Sequence, residues 1–195
     1  MDMLSCPTTG EPVCRCLGDQ AHHLAMRPSA RSTLRKLFTD HAVYTNKYSI
    51  AYIAHLGSAD ALLNRLLDNQ QEIGMYLGQF LGAAVGEAIT AILTEHIQLA
   101  GKALEDIAHR RPIAPTMQKI LANVDKFATA VAKLTGVKTD YQKWYKEFLH
   151  HNEMVLEIAK LNIKGLYIQE NEAYDTYYTH MLRFSDMMCS DLLMR

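Results

Sequence analysis

An all-α up-and-down bundle is predicted by three observations. Apolar residues recur at three- and four-residue spacings along most of the chain; no stretch alternates with the two-residue period of a strand; and Gly57, Pro112, Pro115 and Gly136 fall at the ends of the periodic stretches. The expected architecture is about five long helices plus two short connecting ones. At 195 residues, with 49% hydrophobic and 21% charged residues, the chain can bury a core without staples.

Residues 1–29 stand apart. Pro7, Gly10, Pro12, Gly18 and Pro28 interrupt any apolar period, so the segment reads as a Cys-, Pro- and Gly-containing N-terminal arm, with residues 30–195 as the bundle domain. From Ser29 or Ser32, either a suitable N-cap, a first long helix runs to Gly57 with Leu34, Phe38, His41, Thr45, Tyr48 and Tyr52 on one face. Ser58 caps a short helix through Leu67. Asn69 to Glu72 has capping-box spacing and starts a second short helix ending near Gly82, the two forming a bend across one end of the bundle.

The second long helix covers about 83–109, with Val85, Ile89, Leu93, His96, Leu99, Ala103 and Ile107 in phase. The third, about 115–135, carries Met117, Ile120, Val124, Phe127 and Val131, with Gly136 placed as a left-handed C-cap. A fourth begins at Thr139 or Asp140 and carries Trp144, Phe148, His151, Val155 and Ile158. The last, about 170–193, places Tyr174, Tyr178, Met181, Ser185, Met188 and Leu192 together.

Composition excludes several function classes. A net charge of −1 gives no footprint for nucleic acid, the run His109-Arg110-Arg111 being the only basic cluster. No apolar stretch reaches the ~20 residues of a membrane span, and the first residues lack a basic start followed by an apolar core. A soluble, intracellular protein is expected. Its four cysteines are then thiols or ligands rather than disulfides. There is no Ser-His-Asp order, phosphate-binding glycine loop, HExxH motif or pair of ExxH motifs, which argues against a di-iron carboxylate bundle.

One constellation carries chemistry. His41, His96 and His151 each lie on the apolar stripe of a different long helix and near its midpoint, so they can share one layer of the bundle. Asp125 has a similar height, and Asp175 borders the stripe of the last helix. Three imidazoles with one or two carboxylates suit a divalent metal; zinc is favoured over iron or manganese, with His41, His96, His151 and Asp175 as ligands. Asp125, Asn123 or Thr45 would accept hydrogen bonds from the outer ring nitrogens. His150, His55, His109 and His180 have polar or terminal positions and read as surface residues. A second zinc position is conceivable at Cys6, Cys14, Cys16 and His22, although the paired CxxC spacing is missing.

The segments Leu34 to Thr45, Leu93-Thr94-Glu95-His96-Ile97, Asn123-Val124-Asp125, Trp144 with His151, and Tyr174-Asp175 leading to Ser185-Asp186-Met187 resemble a family of small, largely uncharacterised bacterial helical proteins. The resemblance spans about Leu34 to Leu193 and implies a polar residue on each long helix, corresponding to His41, His96, Asn123 with Asp125, His151 and Asp175. It brings no established activity. The chain departs from that pattern at Phe38 and Tyr44, where the family has tryptophans, and at Asn46, where it has arginine. Residues 1–29 have no counterpart there, which suggests an offshoot in a giant DNA virus, located in host cytoplasm, nucleus or virion.

Two functional readings remain. In the first, a buried His/Asp site binds one metal; an open coordination position would add a hydrolytic role. In the second, the histidines are a hydrogen-bonded core of a noncatalytic interaction protein, whose N-terminal arm and Met-rich C-terminus engage a protein partner or a second copy of the chain.

Overall fold

The computed structural model describes residues 13–137 and 139–194, with side chains from residue 30 onward except at 139. Among the described residues there are six helices and no strand: α1 (Val13–Ile53), α2 (Ala59–Leu81), α3 (Ala83–Ala108), α4 (Ala114–Thr135), α5 (Thr139–Ile163) and α6 (Tyr167–Met188), the last running into a π-helical turn, Cys189–Leu193. Each helix packs against the next, and α6 returns to α1, so the helices form a ring. That is the arrangement short connections impose on successive antiparallel rods. Helix α5 also touches α1 and α3, which brings three helices together in the interior.

The all-α class is as the periodicity predicts, and the ends of α4 and α5 lie where Pro115, Gly136 and Thr139 place them. Gly136 takes the left-handed conformation at φ 69°, ψ 8°, and its N–H bonds to the Ala132 carbonyl. Two boundaries differ. Helix α1 begins at Val13, not at Ser29 or Ser32, so the division between arm and bundle falls inside a helix. A proline withdraws one donor and bends a helix more readily than it ends one, and the single glycine at 18 only weakens it.

The second difference matters for function. In place of two short connecting helices there is one continuous α2, a full member of the ring. No glycine or proline stands between Leu67 and Glu72 to break it, and Asn69 does not cap. Its amide is fully buried and donates to the Leu37 carbonyl of α1 at 3.0 Å. The helix keeps the stripe Leu66, Gln70, Ile73 and Leu77 in register, all buried.

Helices α2 and α3 pack unusually closely. Gly82 alone joins them, at φ 96° and ψ 148°, a conformation that suits only glycine. Beside this turn Gly74, Gly78 and Gly86 face one another. A Cβ on Gly86 would lie 2.6 Å from the Gly74 carbonyl oxygen and 2.9 Å from the Gly78 Cα, both backbone atoms that cannot rotate aside. At the other end, buried Asp106 fixes the α3–α4 turn by accepting from Thr116 Oγ1 at 2.6 Å and Arg111 Nε at 3.1 Å. Arg35 of α1 donates from Nε and Nη2 to the two carboxylate oxygens of Asp186 of α6, closing the ring.

Four large aromatic side chains pack together within the main core. Phe127, Trp144, Phe148 and Phe184 stack on one another, with Phe127 and Phe148 centroids 4.3 Å apart and Trp144 edge-on to Phe184 at 5.1 Å. Burying such side chains contributes about 1.5–3 kcal/mol each. Gly86→Ala is expected to cost roughly 1–3 kcal/mol by overpacking, read as a lower urea midpoint. Gly57→Ala, where a Cβ meets nothing within 4 Å, is expected to cost nothing measurable. An unchanged midpoint for Gly86→Ala would contradict the close α2–α3 packing.

Candidate metal centre

Three helices deliver one imidazole each to the middle of the bundle: His41 from α1, His96 from α3 and His151 from α5. All three are buried, with 4%, 4% and 2% of their surface exposed. Each follows from its helix's phase: His41 continues the stripe of Leu34, Leu37 and Phe38, His96 that of Ile89 and Leu93, and His151 that of Trp144 and Phe148. One nitrogen from each ring lies within 4.8 Å of the others, and among the described residues this is the only such group.

The pairwise geometry is tighter between two of them. His96 Nε2 and His151 Nε2 are 3.2 Å apart. Two nitrogens bound to one tetrahedral zinc at 2.0–2.1 Å are about 3.3–3.4 Å apart. That separation therefore suits both an N–H···N hydrogen bond and two ligands of one ion. His41 lies farther away, its ring centroid 5.5 Å from that of His151 and 6.2 Å from that of His96. Drawing it in to ligand distance takes a shift of about 1–1.5 Å at most.

The outer ring nitrogens have neutral partners. His151 Nδ1 lies 3.1 Å from Met181 Sδ; a thioether only accepts, so Nδ1 carries the proton and Nε2 presents its lone pair inward. The Gln70 amide of α2 donates to His41 Nδ1 at 3.1 Å and to the Leu66 carbonyl at 2.9 Å. Gln70 Oε1 has no partner among the described residues. Turning that amide would let Oε1 accept from Nδ1–H and free His41 Nε2 for a metal.

Burial sets the protonation state. Loss of water pushes His41 down to about 4 and His96 to about 3, from an ordinary 6.5. His151 is held well below its usual value by burial and by the neighbouring imidazoles. Phe148 packs against both, 4.9 Å from His96 and nearly parallel to His151 at 5.8 Å, and Tyr177 covers His151 at 5.4 Å. All three rings are thus neutral at pH 7, the form that binds metal.

A cavity of about 30 Å³ adjoins the triad, bordered by all three histidines and by Thr45, Tyr48 and Ser49. Thr45 Oγ1 and Ser49 Oγ, both on its walls, are buried without a hydrogen-bond partner among the described residues. Such a space accepts little more than a water molecule, and its walls offer that molecule polar contacts.

Not every residue expected at the centre is there. Asp175 is exposed on α6. Tyr177, two residues on, is the buried one, and two residues rotate a helix by about 200°, so Asp175 lies on the opposite, solvent-facing side. Asp125 is exposed too and accepts from the Tyr141 hydroxyl at 2.6 Å. Asn123 is buried but donates to the Ile92 carbonyl and Glu95, holding α4 to α3 away from the imidazoles. Thr45 borders the cavity, but its Oγ1 is buried with no hydrogen-bond partner among the described residues, so it does not accept from an imidazole. Cys6 lies outside the described residues, as do the side chains of Cys14, Cys16 and His22.

Three contributors went unread in the sequence. Gln70 was assigned to a capping box, although its place between Leu66 and Ile73 on one stripe marks it as buried. Met181 places its sulfur against His151 Nδ1, where a thioether can only accept. His180, expected at the surface, is 6% exposed. Of the C-terminal methionines, Met181 and Met188 are buried, and Arg111 of the basic run is paired with Glu105 and Asp106. No helix among the described residues is long and apolar enough to cross a membrane.

No protein-family model, curated protein or solved structure matches the chain.

The depressed histidines make stability depend on pH. Between about 4 and 6.5 the unfolded chain takes up a proton on His41 that the folded protein refuses, and for His96 the window extends down to about 3. Stability from these groups is complete above pH 6.5 and falls as pH drops through the window, by up to about 1.4 kcal/mol per pH unit for each histidine. With chelator present, the urea midpoint is expected to fall between pH 6.5 and 4, and the decline to flatten when His41, His96 and His151 are all replaced by glutamine. A wild-type midpoint that is level across this range would contradict their burial.

Proposed function

We propose that this protein is a metal-binding helical bundle holding one divalent ion through His41, His96 and His151. The observation that carries the reading is the convergence of three buried, neutral imidazoles with a ligand nitrogen of each within 4.8 Å of the other two. Zinc is the favoured ion. Manganese prefers oxygen donors and the usual non-haem iron site needs a carboxylate, whereas Asp175 and Asp125, the carboxylates expected nearest, are both exposed.

The fourth position of a tetrahedral zinc would fall to a water or hydroxide. Hydroxide has a further advantage here: it would cancel half the charge of a dication in an apolar interior, where an uncompensated ion is costly. The cavity of about 30 Å³ beside the triad has room for that ligand. It has no room for an organic substrate. The volume therefore favours a protein that holds its ion over one that hydrolyses large molecules.

Elemental analysis of protein purified without chelator is expected to find about one zinc per chain, and the triple alanine variant at His41, His96 and His151 is expected to lose it while keeping its helical spectrum. A wild type that binds no metal would support the hydrogen-bonded core instead, in which His96 Nε2–H donates to His151 Nε2. Metal lost only when Cys6, Cys14 and Cys16 are replaced by serine would move the site to the N-terminal arm.

A further inference from the structure

An ion held by side chains this deeply buried needs a way in. The turn of α5 that carries His151 also carries its exposed neighbour His150 and, one turn earlier, Glu147; opposite them α6 presents His180. His180 is the unusual member. It is 6% exposed, yet neither ring nitrogen has a hydrogen-bond partner among the described residues. An imidazole left so in an interior costs roughly 1–3 kcal/mol unless something else uses it.

Its position suggests the use. The His180 ring stands edge-on to that of His150 at 5.3 Å and is stacked on that of His151 at 6.2 Å. Glu147 Oε2 is 3.8 Å from His180 Nδ1. Glu153 Oε2 lies 3.8 Å from His150 Nδ1 at the outer end. Imidazoles thus run from solvent to the triad in three steps, with carboxylates at the mouth to attract a cation.

We propose that Glu147, His150 and His180 form an outer, transient binding position through which a divalent cation reaches His151 and the buried triad. The proposal rests on the metal-binding reading of that triad. Two imidazoles and a carboxylate suit zinc and its neighbours in the first transition row. The group is looser than the triad, whose three nitrogens alone among the described residues lie within 4.8 Å of one another. A position that passes an ion on must hold it weakly. Arg183 Nη2, 2.6 Å from Glu147 Oε2, occupies the carboxylate until a cation displaces it.

A route differs from a ligand set in its kinetics. It lowers the barrier for binding and release alike and leaves the equilibrium alone. Full-length protein is mixed with Co²⁺, whose absorption reports tetrahedral capture, and association and release are timed in wild type, in His180→Gln and in the Glu147→Gln, His150→Ala double variant. His150 is exposed and Glu147 partly so, and an unchanged helical spectrum and urea midpoint identify the variants that are folded. The expected result is that both rates fall at least about tenfold while Kd changes less than about twofold. Unchanged rates, or a Kd weakened by about tenfold or more, would overturn the route while leaving the triad's binding in place. Failure of the wild type to bind Co²⁺ would instead remove the metal-binding reading itself, and the route with it.

Discussion

The interior of this bundle depends on keeping three imidazoles out of water at one height. A ring nitrogen in an apolar core must be paired or coordinated, and the surrounding helices are arranged around that demand. Helices α1, α3 and α5 supply the rings; α2 and α6 supply Gln70 and Met181, which hold two of them. Phe148 covers the layer from one side, and the small cavity borders it from another. Only α4 sends nothing to the triad; its buried Asn123 ties it to α3 instead.

This arrangement explains why α2 is a full helix. A short bend across the end of the bundle would leave His41 without its partner and the Leu37 carbonyl without Asn69. The glycines at the α2–α3 contact serve the same end. With Gly74, Gly78 and Gly86 allowing the backbones to meet, a helix joined to α3 by a single residue can still reach α1 farther along. The fold and the polar layer therefore constrain each other. Loosening either one exposes imidazoles whose protonation at low pH would pull the structure apart.

Much of this was readable in the sequence, and the unread part has physical causes. Helical period and end signals located α3, α4 and α5, because those stretches keep one apolar face between glycines, prolines and caps. The histidine triad was readable because each ring sits squarely on its stripe. Asp175 was misplaced because near the edge of a stripe one residue of phase, about 100°, decides between core and solvent. Gln70, between Leu66 and Ile73, and His180, between Tyr177 and Phe184, do lie on buried stripes, but what an amide or an imidazole does there is set by the helix it packs against. Pairing between helices is not written in any one helix's period.

The central claim is that one ion is held by nitrogen from three helices, and X-ray absorption of the zinc-loaded protein tests it most directly. The account predicts three imidazole nitrogens at about 2.0–2.1 Å, completed by a light oxygen scatterer and no sulfur. A sulfur shell near 2.3 Å would place the metal among the N-terminal cysteines and contradict the account.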